Sequence, residues 1–174
     1  MGLMSDYIYE AGNDETLQED LDYIANSKVP FEDLRDSSVL VTGATGLIGV
    51  SIVRALLCAN RVRNLNLHVF ALIRNREKAE TIYRELLERE ELTLLVNDVT
   101  KKINVPQKVD YVFHCASITA SKIMVSNPVE TLLTSVDGTK NILEFAKENE
   151  CKSVVYVTSM EMYGAFTEAN DNVT

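Results

Sequence analysis

The order of hydrophobic and polar positions along the chain predicts short buried strands that alternate with amphipathic helices. Apolar runs of strand length, rich in valine and isoleucine, occur at VLVTGA, HVFALI, LTLLV, DYVFHCA and SVVYVTS. Such uninterrupted runs are typical of strands buried on both faces of a parallel sheet. Helical spacing occurs between them at LIGVSIVRALLCAN, NREKAETIYRELLEREE and VETLLTSVDGTKNILEFAKENE. The alternation predicts right-handed βαβ crossovers and a doubly wound α/β fold.

One part of the chain has a weaker pattern. The stretch from Thr100 to Pro128 is predicted to contain one strand and two loops, with no helix in KKINVPQK. No internal repeat or low-complexity segment interrupts the alternation.

The chain is expected to comprise an N-terminal extension over residues 1–36 ahead of one main domain over residues 37–174. Within the extension, DETLQEDLDYIANSK has the spacing of a short amphipathic helix. The apolar face of this helix is expected to comprise Leu17, Leu21 and Ile24. The first 38 residues hold ten acidic and two basic side chains, a net charge of −8, whereas the rest holds sixteen acidic and fifteen basic. The acidity therefore belongs to the extension, which we interpret as a docking helix or arm.

Composition limits the class of protein. The 174 residues are 46% hydrophobic and 25% charged, as expected for one globular domain of ordinary composition. The chain lacks both an apolar run of the roughly 20 residues that a membrane span needs and a signal-peptide pattern, so a cytoplasmic protein without membrane contact is predicted. A basic patch for nucleic acid is absent too. The three cysteines are Cys58, Cys115 and Cys151. They form no CxxC pair, so they are expected to be reduced thiols, and no metal site is predicted.

The segment TGATGLIG follows a predicted strand and opens a predicted helix, which is the context that makes its glycines informative. Gly43 permits a tight turn, Gly46 lets the backbone approach a pyrophosphate, and Gly49 allows close helix packing. The free N–H groups and the positive dipole end of the helix would then face phosphates. The motif predicts nucleotide binding, the alternative being a structural turn.

Four motifs together resemble the short-chain dehydrogenase/reductase superfamily: TGxxGxxG, NDV at 97–99, HCAS at 114–117 and TSMEMYG at 158–164. The sequence is most similar to the extended, NAD-dependent epimerase/dehydratase branch, which acts on nucleotide sugars, over residues 38–166. The resemblance implies a Rossmann sheet of about five strands in the order 3-2-1-4-5. Because the chain ends at Thr174, it also implies the N-terminal cofactor-binding part of an enzyme, truncated before the substrate lobe.

The resemblance implies a nicotinamide dinucleotide as cofactor, either NADP or NAD. Arg74 stands at the end of the second predicted strand, where arginine accommodates the 2′-phosphate of NADP and a carboxylate would bind the ribose of NAD. This favours NADP, unless Arg74 is merely a solvated side chain. Asp98 would accept a hydrogen bond from the adenine amino group, or else cap its turn. The implied cofactor-binding residues are Gly43, Thr45, Gly46, Leu47, Ile48, Gly49, Arg74, Asp98, Val99, Cys115, Ala116 and Ser117.

Two residues near the end of the chain are implied as catalytic. Ser159 matches the catalytic Ser/Thr position, and Glu161 an acid that decarboxylases, some epimerases and dehydratases carry, unless it is an exposed loop carboxylate. Met160 replaces the aspartate of the 4,6-dehydratases, and Ser135 replaces an asparagine of the family's helix motif. None of the seven tyrosines has a lysine four residues later, so the Tyr-x-x-x-Lys pair is missing and this chain alone is expected to be inactive.

Three functions remain open from the sequence. The first is the NAD(P)-binding portion of a nucleotide-sugar epimerase, decarboxylase or dehydratase that oxidises a sugar hydroxyl transiently. The second is an NADPH-dependent reductase of the thioester or acyl type, since FALIRNREKAETIYRELL resembles the arginine-bearing strand and helix of that branch. The third is a non-catalytic nucleotide-binding module. The fifth strand, as an apolar sheet edge, also predicts self-association.

Overall fold

The computed structural model describes residues 9–119 and 121–159. Its centre is a five-stranded parallel sheet with the strand order β3-β2-β1-β4-β5. The strands are β1 Ser38–Thr42, β2 His68–Ile73, β3 Leu92–Val96, β4 Tyr111–His114 and β5 Ser153–Tyr156. All five predicted strands, the doubly wound fold and the order 3-2-1-4-5 are confirmed. Strand β1 is central and buried at all five positions, as its uninterrupted apolar run predicts. The same prediction is wrong for β5, which lies at the edge of the sheet and is mostly exposed.

Helices flank the sheet and connect its strands, except that β3 is followed by β4 without a helix between them. They are α1 Glu15–Ala25, α2 Leu47–Arg63, α3 Arg76–Ile82, α4 Ser121–Ser126 and α5 Pro128–Glu148, with 3₁₀ turns at Phe31–Leu34 and Arg84–Leu86. One apolar core lies where α1, α2 and α3 cover the sheet, and a second lies where α5 covers it. No helix within the described residues is long and apolar enough to cross a membrane.

One predicted helix is too long, and one helix of the structure was predicted as loop. The helix expected over residues 75–91 ends at Ile82, because the chain turns there and packs the C-cap residue Tyr83 and Leu86 of the following 3₁₀ turn into the core. The Tyr83 hydroxyl donates a hydrogen bond to the carbonyl oxygen of Ala44, a tertiary contact that local periodicity does not encode. Between Thr100 and Pro128 the structure adds the six-residue helix α4, which is too short and too exposed to show an amphipathic period.

The segment predicted as an N-terminal extension packs on the rest of the chain through α1, which lies against α2. Leu21 and Ala25 are buried and Leu17 is partly buried. Ile24, expected on this face, is 38% exposed instead. The contact surface is therefore the i, i+4, i+8 row of α1, along which side chains lie one above another.

A buried carboxylate ties the same extension to the domain. Glu10 is fully buried and is ion-paired with Arg61 at 2.9 Å and with Arg89 at 2.6 Å. Arg61 also contacts Asp22 of α1 at 3.0 Å. Burial raises the pKa of Glu10, but hydrogen bonds from the two arginines outweigh it and hold the value at about 2. Part of the acidity of the extension is thus neutralised by the main domain.

Candidate functional site

The glycine-rich turn between β1 and α2 has a geometry that side chains would not allow. Gly43 has a left-handed φ of +64°, and a Cβ there would lie 2.8 Å from the backbone of Cys115 and Ala116. A Cβ on Gly49 would lie 2.3 Å from the carbonyl oxygen of Gly43. Both glycines therefore allow close backbone contacts around the start of α2.

Gly46 has a different environment. It is the exposed N-cap of α2, and a Cβ on it would meet just one atom within contact range, the Gly43 carbonyl oxygen at 3.2 Å. It provides no side-chain cap to the helix. The first-turn N–H groups of α2 are thus left for another acceptor, and the N-terminus of a 17-residue helix favours an anionic one.

A cleft of about 370 Å³ opens beside this turn, at the carboxyl ends of β1, β2 and β4. All twelve residues that the sequence assigned to the cofactor line it. Further lining residues that sequence reasoning missed are Leu72, Ile73, Ile118, Thr119 and Thr134. Leu72 and Ile73 end the strand before Arg74, whereas Thr134 reaches the cleft from α5, a placement that needs tertiary structure.

Asp98 lies on the loop after β3, on the cleft wall. Its Oδ1 accepts hydrogen bonds from the backbone N and the hydroxyl of Thr100, both at 2.8 Å. These bonds lower the pKa of Asp98 against the opposing effect of burial, and the charges of Arg74 and Lys101 lower it further. Asp98 therefore caps its turn and, at the same time, presents an ionised carboxylate beside Arg74.

A buried polar pair supports the loop after β4. The Thr42 hydroxyl lies 2.7 Å from Nδ1 of His114 and accepts a hydrogen bond from the Ala116 backbone N at 3.2 Å. Burial lowers the pKa of His114 and raises that of Cys115. The histidine is thus neutral and structural, and the Cys115 thiol is protonated. The described residues contain no cluster of side chains suited to a metal ion.

The two implied catalytic residues are Ser159 and Glu161, of which the structure describes Ser159. Ser159 is exposed, three residues beyond the end of β5, and is not among the described residues that line the cleft. Glu161 lies outside the described residues. Ser135, which replaces the family's asparagine, donates its hydroxyl hydrogen bond within α5, to the Thr131 carbonyl oxygen at 3.1 Å.

A doubly wound parallel sheet with a glycine-rich turn between its first strand and a helix defines a Rossmann-type domain. Residues 39–174 match the family model of the NAD-dependent epimerase/dehydratase family. The chain belongs to this family.

Individual proteins show the same relationship. An uncharacterized membrane protein of Methanocaldococcus jannaschii is 30% identical over 138 residues, which cover 74% of this chain and 39% of that protein. A UDP-N-acetyl-α-D-glucosaminuronate decarboxylase of Bacillus cytotoxicus is 28% identical over 141 residues, covering 77% and 41%. The X-ray structure of Pen from Bacillus thuringiensis is 25% identical with a TM-score of 0.62, covering 75% and 40%. The chain spans about two fifths of the length of these curated relatives.

Proposed function

We propose that this chain is the nicotinamide-dinucleotide-binding part of an enzyme that acts on nucleotide sugars and transiently oxidises a sugar hydroxyl. The observation that supports this most directly is the meeting of the glycine turn, the end of β2 and the end of β4 at one cleft. Open parallel sheets bind ligands at this edge. The similarity to a UDP-sugar decarboxylase supports an epimerase, decarboxylase or dehydratase reaction.

The residues of the cleft fit such a ligand. The uncapped first turn of α2 would donate N–H groups to the pyrophosphate, and Asp98 would accept a hydrogen bond from the adenine amino group. When bound, the dinucleotide supplies a hydride acceptor. The backbone of Cys115, Ala116 and Ser117 would line its nicotinamide side.

Arg74 supports NADP as the preferred cofactor. The side chain is exposed at the mouth of the cleft, and its charge acts on Asp98. A guanidinium suits a phosphate, to which it donates two parallel hydrogen bonds.

Calorimetric titration of the chain with NADP and NAD tests both the site and the preference. We expect tighter binding of NADP, and a loss of NADP affinity on the order of tenfold or more in Arg74→Ala, with little change for NAD. Arg76→Ala is the matched control, because Arg76 is also exposed and is ion-paired with Glu80. Equal or tighter binding of NAD by the unchanged chain contradicts the NADP preference, and binding of neither contradicts the site.

We further propose that the chain alone does not turn over, because the 174 residues contain no Tyr-x-x-x-Lys. A lysine ammonium is the usual means of lowering a tyrosine pKa for acid–base work. Conversion of a UDP-sugar by this chain alone would contradict the proposal. We also propose a cytoplasmic location for the protein. Self-association of the chain is proposed as well, because the edge strand β5 exposes Val155 and Tyr156.

Arg74 also favours a second candidate, an NADPH-dependent thioester or acyl reductase. The two candidates differ in stoichiometry. An epimerase cycle leaves the redox state of the dinucleotide unchanged, whereas a reductase consumes one NADPH in each turnover. In a protein that contains this chain together with its substrate lobe, loss of NADPH absorbance on adding an acyl thioester would support the reductase.

A further inference from the structure

We infer that Asn141, on α5, is a positioning residue that holds the loop bearing Asp98 and Val99 in the shape that recognises adenine. The inference rests on the proposed function of the cleft as a dinucleotide site. Asn141 itself is not among the described residues that line the cleft.

Asn141 binds the loop at two points. Its Nδ2 donates to the carbonyl oxygen of Val99 at 2.7 Å and to that of Lys101. An asparagine amide has two hydrogens, so each carbonyl receives one. The loop is also closed internally, since the Lys101 N–H donates to the Asp98 carbonyl oxygen at 2.9 Å. The helix therefore holds a compact turn at both ends.

Gly138 provides the surface on which this turn rests. It is buried one turn before Asn141, on the same side of α5. A Cβ on Gly138 would lie 3.0 Å from Cγ2 of Val99. Val99 is buried and lines the cleft. A side chain at position 138 would therefore require the Val99 side chain, which lines the cleft, to shift.

The hydrogen bonds of Asn141 affect ligand recognition through Asp98, which lies in the loop that they hold. Its Oδ1 accepts two hydrogen bonds from Thr100. The position of the carboxylate therefore depends on the conformation of the turn. If the two carbonyl anchors are lost, the turn shifts and the carboxylate no longer faces the adenine amino group. Loss of the anchors is thus expected to weaken the contact with adenine and to leave the pyrophosphate contacts at α2 unchanged.

The test is discrimination between adenine and hypoxanthine. NAD and NADP each have a hypoxanthine analogue that carries a carbonyl oxygen in place of the amino group, and all four are titrated calorimetrically into the chain. Asn141→Asp keeps the shape of the side chain but removes both donors. Asn149→Asp is the matched control, with the same charge change on the C-cap of α5, where Nδ2 bonds only the Phe145 carbonyl oxygen among the described contacts.

We expect the unchanged chain and Asn149→Asp to prefer the adenine ligand on the order of tenfold, and Asn141→Asp to prefer it less than about threefold. Urea midpoints identify the folded variants. If Asn141→Asp does not fold, Gly138→Ala takes its place, since alanine favours the helix and its Cβ requires Val99 to shift. The Gly138→Ala variant should also lose the preference for the adenine ligand. A variant that keeps the preference overturns the inference and leaves the dinucleotide site standing. Absence of binding by the unchanged chain overturns both.

Discussion

The buried carboxylate of Glu10 is expected to be the strongest single electrostatic contribution to the docking of the N-terminal extension. It is fully buried and bound by Arg61 and Arg89. Its pKa, lowered from 4.5 to about 2, corresponds to about 3 kcal/mol in favour of the ionised form in the folded chain. Breaking a buried ion pair typically costs about 3–5 kcal/mol. Because Asp22 and Glu91 remain as partners for the arginines, we expect Glu10→Gln to cost about 3 kcal/mol.

The assay is urea denaturation followed by circular dichroism across a range of pH. A carboxylate with a lowered pKa in the folded state stabilises fully above its unfolded pKa of 4.5, and this contribution is lost as the pH falls from there toward 2. The difference between the unchanged chain and Glu10→Gln should therefore narrow below pH 4.5. Glu19→Gln is the control, because Glu19 is exposed on α1 and carries the same charge.

Two results would refute this reasoning. One is a loss of less than about 1 kcal/mol at neutral pH, the value of an ordinary surface pair. The other is a difference between the two chains that stays constant down to about pH 3. Either result would mean that the arginines do not stabilise the Glu10 carboxylate as the geometry indicates.

Three further predictions concern the turn, the core and the sheet edge. Gly49→Ala places a Cβ 2.3 Å from the Gly43 carbonyl oxygen, so we expect a loss of about 1–3 kcal/mol in urea denaturation and no calorimetric binding of NADP; wild-type affinity would contradict the proposed role of the turn. Tyr83→Phe removes the buried hydrogen bond to the Ala44 carbonyl oxygen and should cost about 1 kcal/mol, and an unchanged urea midpoint would exclude this contribution. Val155→Lys puts a charge on the exposed edge strand β5 and should shift the chain toward monomer in analytical ultracentrifugation; a monomer before the substitution would contradict the proposed self-association.

Local sequence predicts those parts of the site that lie close together along the chain. The strand–turn–helix pattern predicts the turn from Gly43 to Gly49, and the end of the second strand predicts the position of Arg74. These residues line the cleft. The contribution of α5 could not be predicted in this way. Asn141 follows Val99 by 42 residues, and nothing in helical periodicity shows which loop its amide contacts.

The amino-acid sequence is sufficient to predict the class of fold, because apolar runs of strand length that alternate with helices require parallel crossovers. It also determined the glycine turn, since the motif itself lies between a strand and a helix. Contacts in the folded structure place Tyr83 in the core at the end of α3 and bury Glu10 between two arginines. These outcomes depend on contacts between distant segments, for which burial and charge pairing set the free energy and local spacing carries no signal.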